Sequence, residues 1–145
     1  MKKFFTCIDN YIDNNTAKNF IKLYNDNLQK TYKYHDTTPL EIPLDGFGLT
    51  ESIRKDFDIK HSLDKLEIVK REKGSFMENH VDKGDAIAFI LYLNDEFEGG
   101  ETVFENETTI KPKKGRLLVF SNGIIEHKVN LITKGERYVL AGWFK

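Results

Sequence analysis

The sequence is short of several things, and each shortage excludes a class of protein. Cysteine occurs once, at Cys7, so no disulfide can form within the chain and a reducing compartment suits it. Net charge is close to zero, with 22 Lys and Arg against 23 Asp and Glu. Such a balance supplies no general pull toward nucleic acid or an anionic membrane surface. No apolar run approaches the length of a membrane span. The opening Met1-Lys2-Lys3-Phe4-Phe5-Thr6-Cys7-Ile8 has the charged head of a secretory signal, but Asp9 ends its apolar stretch too early. Internal repeats and low-complexity tracts are also missing. The expectation is one soluble, cytoplasmic domain over 1–145 that recognises its partner locally.

Aromatic residues, by contrast, are plentiful. Eleven Phe and six Tyr in 145 residues suit a β-rich core of proper size. The first 60 or so residues read as helical support. Over 15–33, Phe20, Leu23, Tyr24 and Leu28 fall on one helical face, with Asn14 or Asn15 as the cap. Residues 35–48 carry Pro39, Pro43, Gly46 and Gly48, which predicts an irregular segment, either a connector or a lid over a site. A short helix is expected over 50–57.

From about residue 64 onward the texture changes to short β runs broken by turns. Strands are predicted at 66–71, 76–81, 86–93, 102–104, 108–111, 116–120, 124–129 and 136–144, with turns such as Lys83-Gly84-Asp85, Asn122-Gly123 and Lys134-Gly135 between them. Eight strands at such spacing point to an antiparallel jelly roll with flanking N-terminal helices. The 86–93 run is apolar on both faces, as a central strand should be. Its one hydroxyl, Tyr92, needs a partner in solvent or on a ligand.

Chemistry concentrates in a few positions. His80 and Asp82 share a face of an extended backbone, roughly 6.6 Å apart, within reach of one metal ion. His127 lies in an apolar strand, where it is either a satisfied structural histidine or a third ligand. Two imidazoles and a carboxylate on one face of a divalent ion are the donor set of non-haem Fe(II) oxygenases. Arg137 shares a strand face with Val139, Ala141 and Trp143, and a guanidinium among apolar neighbours needs an anion. That anion is either a protein carboxylate or one end of a dicarboxylate whose other end chelates the metal. A hairpin at Lys134-Gly135 is expected to join the strands of His127 and Arg137 and put both residues on one sheet face.

Several stretches together resemble one family. They are His80-Val81-Asp82, Leu91-Tyr92-Leu93-Asn94-Asp95, Glu98 to Phe104, Lys111 to Arg116, His127, and Gly135-Glu136-Arg137 with Trp143. In this order and spacing the segment 66–144 resembles the Fe(II)- and 2-oxoglutarate-dependent dioxygenases of the prolyl 4-hydroxylase type, procollagen-proline 4-dioxygenase among them. The resemblance implies a double-stranded β-helix, cupin-like core, with iron held by His80, Asp82 and His127. It implies 2-oxoglutarate held through its distal carboxylate by Arg137, with Tyr92 as hydroxyl partner and Trp143 packed near the pocket. It implies O2 as co-reactant, succinate and CO2 as products beside a hydroxylated substrate, and ascorbate as a candidate reductant for the iron. Asp82 favours hydroxylation, since related halogenases leave that position open for halide.

Arg71 and Met77 stand where similar members often carry Tyr. Arg71 then touches 2-oxoglutarate or substrate, or lies on the surface, with the surface reading preferred. The expected substrate is a prolyl residue in a peptide or protein. Alternatives are a free amino acid or other small molecule, or a non-enzymatic, cupin-like metal-binding module. Nucleic acid is not expected, because only Arg137 follows His127 on that strand and there is no basic surplus.

Overall fold

The computed structural model describes residues 3–84 and 87–145. Two α-helices, α1 (Asn14–Asp26) and α2 (Leu49–Asp56), precede most of the strands. In chain order the strands are β1 (Phe5–Ile8), β2 (Thr37–Glu41), β3 (Leu63–Glu72), β4 (Met77–His80), β5 (Ile87–Tyr92) and β6 (Glu98–Gly99). There follow β7 (Thr102–Phe104), β8 (Thr108–Ile110), β9 (Leu117–Phe120), β10 (His127–Val129), β11 (Ile132–Lys134) and β12 (Glu136–Phe144). One sheet has the order β1-β9-β5-β12-β3-β2, a second β4-β10-β7-β8, and β11 pairs with β6 alone. This is the mainly β jelly roll, or double-stranded β-helix, that the strand spacing predicts, with the helices flanking it.

The local differences from expectation have physical causes. Helix α1 is capped by Asp13, whose side chain accepts from the Thr16 amide, rather than by Asn14 or Asn15. It also ends at Asp26, short of the predicted 33. Asn27 leaves helical geometry at φ −129° while its side-chain amide donates to Leu23 O. Ala17, Phe20 and Tyr24 are buried, but Leu28 is exposed.

Within the segment expected to be irregular, residues 37–41 form β2, paired with β3 at the edge of the large sheet. Pro39 fits there because, in an antiparallel strand, a residue's N–H and C=O point to the same side. Pro39 O accepts from Tyr32 N on the outer side, so the missing N–H costs the β2–β3 ladder nothing. Strand β1, not foreseen as a strand, pairs with β9 at the opposite edge.

The Lys134-Gly135 hairpin does not join the strands of His127 and Arg137. Strand β11 intervenes; β10 lies in the small sheet between β4 and β7, and β12 in the large sheet between β5 and β3. His127 and Arg137 therefore belong to different sheets. The turn residue Asp85 and Ala86, the first residue of the strand expected at 86–93, lie outside the described residues, as do Met1 and Lys2.

One face of β3, β5 and β12 carries Leu66, Ile68, Leu91 and Leu140, which pack under α1 through Phe20 and Tyr24. Each large apolar side chain so buried contributes about 1.5–3 kcal/mol. Gly142 of β12 lets the Phe89 ring approach, since a Cβ there would come within 2.2 Å of that ring. The other face of the same strands looks into a cavity of about 810 Å³ bordered by both sheets. Among the described residues no helix is long and apolar enough to cross a membrane.

Candidate metal centre

Strands β4 and β10 run antiparallel, with His80 and His127 directly opposite each other. Cross-strand neighbours on one face lie within side-chain reach, and the two imidazole centroids are 4.3 Å apart. Asp82 follows His80 by two residues and continues the extended path, its amide donating to Asn122 O at 2.9 Å. One carboxylate oxygen lies 3.2 Å from His80 Nε2 and the other 3.4 Å from His127 Nε2. The candidate ligand atoms of His80, Asp82 and His127 all fall within 4.8 Å of one another.

The surroundings prepare these groups for a cation. His80 Nδ1 lies 2.7 Å from Glu78 O, and His127 Nδ1 lies 3.0 Å from Ile125 O. A carbonyl only accepts, so each Nδ1 carries a hydrogen, and each Nε2 faces Asp82 at the shared centre, where a cation would take the place of its proton. Asn122 Nδ2 donates to Asp82 and fixes the carboxylate. Burial opposes ionisation of Asp82, yet hydrogen bonds with His127 and His80 prevail and hold its carboxyl well below the usual range. His80 is raised chiefly by its hydrogen bond to Asp82, against burial. His127 is buried against the Phe120 ring, while His80 and Asp82 face the opening of the site. Two imidazole Nε2 atoms and a carboxylate oxygen are a donor set that matches a divalent first-row metal such as Fe(II).

The opposing wall is the cavity-facing register of β3 and β12. Arg71 pairs with Arg137, Val69 with Val139, Glu67 with Ala141 and Lys65 with Trp143, and all eight line the cavity. Arg137 is 2% exposed; its Nε donates to Gly100 O and one Nη to Thr102 Oγ1. Among the described residues it has no salt-bridge partner. Tyr92 is fully buried beneath it, with the guanidinium 5.2 Å from the ring centroid and the hydroxyl 2.6 Å from Thr102 Oγ1. Thr102 thus joins the two residues. Trp143 lies on the cavity wall, on the Arg137 face of β12.

Arg71 is not on the surface, contrary to the preferred reading of the sequence. It is 7% exposed, bonded to Asp36 at 3.2 Å, Ser75 at 3.0 Å and, more loosely, to Phe76 O. Its other Nη lies 3.5 Å from Met77 Sδ, and Met77 itself lines the cavity. Burial, then the charge of Arg137 opposite, lower Arg71 to about 10, with Asp36 opposing. Of residues 35–48, only His35, Asp36 and Thr37 border the cavity, so of the two readings open for this segment, connector or lid, the Pro39 to Gly48 stretch fits the connector.

Sequence reasoning passed over Asn122, Thr102 and Asp36 as turn, motif and loop residues. It also treated Arg71 in isolation. The alternation Glu67, Val69, Arg71 against Leu66, Ile68 carries the signal that Arg71 shares a face with the cavity wall.

The chain belongs to the 2OG-Fe(II) oxygenase superfamily: that family's model matches residues 66–145, more than half of the chain. The class takes Fe(II) and 2-oxoglutarate. Among relatives, human prolyl 3-hydroxylase 2 is 45% identical over 62 residues, 38% of this chain but only 9% of that protein. The chain therefore spans a small part of the curated relative it matches. In fold it is similar to a Pseudomonas putida prolyl-4-hydroxylase, with TM-score 0.80, 16% identity, and coverage of 99% of this chain and 93% of the other. It is likewise similar to a viral collagen prolyl hydroxylase from Paramecium Bursaria Chlorella virus-1 solved with 2OG, at TM-score 0.78, 18% identity, and 98% and 95% coverage.

Proposed function

We propose that this chain hydroxylates a prolyl residue in a peptide or protein, with His80, Asp82 and His127 holding Fe(II) and Arg137 holding the distal carboxylate of 2-oxoglutarate. The observation that carries the reading is a buried guanidinium that has no salt-bridge partner among the described residues and lines the same cavity as three convergent metal donors. A buried cation without a partner is costly, and a dicarboxylate that also reaches the metal supplies the missing charge. When bound, iron with 2-oxoglutarate and O2 yields succinate and CO2 and delivers one oxygen atom to a substrate C–H.

The protein's own residues prepare that reaction. The Nδ1–H bonds to Glu78 O and Ile125 O hold both imidazoles with Nε2 toward the centre. Asn122 prevents Asp82 from turning away. Gly100 O and Thr102 lock the Arg137 fork, and Tyr92 supports its face, so that little side-chain freedom is lost when a carboxylate arrives. Val69, Val139 and Ala141 make the stretch of wall next to the cationic end apolar. The prolyl assignment draws on the named activities of the relatives.

The test is anaerobic titration of the Fe(II)-loaded chain with 2-oxoglutarate, followed by admission of O2 with proline-containing peptides. A visible charge-transfer band, then succinate in step with hydroxyproline, is the expected result. Absence of the band would remove the triad and Arg137 from these roles; a band without peptide-dependent succinate would remove the prolyl substrate.

A further inference from the structure

The wall of the cavity changes character along its length. Three two-residue steps of β3 and β12 separate the Arg71–Arg137 rung from the Lys65–Trp143 rung, roughly 20 Å of strand. At the far end Lys65 points its ammonium at three aromatic rings, 5.7 Å from the centroid of Trp143, 5.8 Å from Tyr34 and 6.0 Å from Tyr32. Its Nζ also lies 3.6 Å from Glu67, whose side chain is only 6% exposed and accepts a 2.6 Å hydrogen bond from the Tyr32 hydroxyl.

Three aromatic faces and one buried carboxylate form a receptor for an organic cation. The chain's own lysine fills it, on a flexible stem whose side chain is 39% exposed. Such a stem can withdraw into solvent at little cost. The carboxylate is committed more firmly, because Tyr32 anchors it and burial leaves it no water to turn to. Arg137 lies at the opposite end of the wall, so a dicarboxylate held there leaves this end for the second reactant.

Given the hydroxylase reading above, we propose that Tyr34, Trp143, Tyr32 and Glu67 form a subsite for a basic side chain of the substrate, and that Lys65 is a tethered stand-in which that side chain displaces. The substrate class is then a peptide with a lysine or arginine beside the hydroxylated residue. Glu67 supplies the charge partner, the rings supply the faces, and Lys65 sets a threshold that an uncharged side chain cannot meet.

Trp143 is the chain's single tryptophan, so its fluorescence reports this end of the cavity directly, with or without iron. The 145-residue chain is titrated with acetyl-Pro-Lys-amide and with the uncharged analogue acetyl-Pro-norleucine-amide. A saturable change is expected with the lysine peptide, and binding at least about tenfold weaker with norleucine. Glu67→Gln, which retains an acceptor for Tyr32, and Tyr34→Leu, at an exposed position, should each bring the two peptides within about twofold of each other. Lys65→Met removes the competing ammonium and should tighten both peptides, the lysine peptide remaining the tighter because Glu67 and the rings still favour its charge. Equal affinities in the unaltered chain, no response to the lysine peptide, or weaker lysine binding in Lys65→Met would each overturn the subsite. The hydroxylase reading rests on the iron chelate band and succinate, which do not involve Lys65, so either can fail without the other.

Discussion

Strands β3 and β12 have two faces with opposite duties. On one, Leu66, Ile68 and Leu140 are at most 1% exposed and pack beneath α1. On the other, Arg71, Glu67, Lys65 and Arg137 border a cavity and bring four charged groups into or beside the protein interior. The backbone ladder is common to both, and the alternation of side chains along an extended strand keeps the two apart. The difference teaches that stability and recognition are separable here residue by residue: a change at an even position of β12 should strike the fold, and one at an odd position the ligand.

That separation can be broken deliberately. The largest loss is expected on the opposing sheet, where Asp82→Ala should lower turnover by more than about 100-fold, since even partners of metal ligands are worth 10–100-fold. The melting temperature should stay within a few degrees, because the Asp82 side chain is a quarter exposed. Succinate assays and calorimetry on the same preparation read both. Leu140→Ala should cost about 2–5 kcal/mol of stability in urea unfolding, while the KM for 2-oxoglutarate of the folded enzyme is unchanged. Arg137→Met should do the reverse. The KM for 2-oxoglutarate should rise about 30-fold or more, the equivalent of roughly 2 kcal/mol for one lost buried charge partner. Its melting temperature should hold or rise, since a desolvated cation with no salt-bridge partner among the described residues is removed. A fall in stability with unchanged KM would make Arg137 a structural residue and dissolve the contrast between the faces. The smallest effect belongs to Tyr92→Phe, about 0.5–1.5 kcal/mol from its bond to Thr102, measured by the same unfolding experiment.

Much of this molecule was legible in its sequence because the relevant signals are local. The β7 strand lies where its Thr-Val-Phe run predicts, and α2 begins within one residue of the expected start. His80 and Asp82 meet as two-residue spacing in extended chain requires. What was not legible depends on pairings distant in the chain. The partners of Arg71 include Asp36, 35 residues earlier, and Arg137, 66 positions later across the sheet. Nothing in the local composition around Arg71 marks either.

The hairpin expected at Lys134-Gly135 failed for a related reason. Turn chemistry identifies where the chain reverses but not which strands it joins, and three residues sufficed to make β11 a strand of its own. Pro39 misled in the opposite direction. Proline reads as a breaker, yet at a sheet edge with its nitrogen turned outward it breaks nothing.

The same proline bears on how a peptide can approach. A sheet edge normally offers a row of donors and acceptors onto which an extended chain can zip. At Pro39 the outer edge of β2 has no donor to offer, and the carbonyl beside it is already taken by Tyr32 N. The large sheet is thereby sealed against strand addition at the position nearest the middle of β2, which leaves the proposed peptide substrate the open mouth between the sheets.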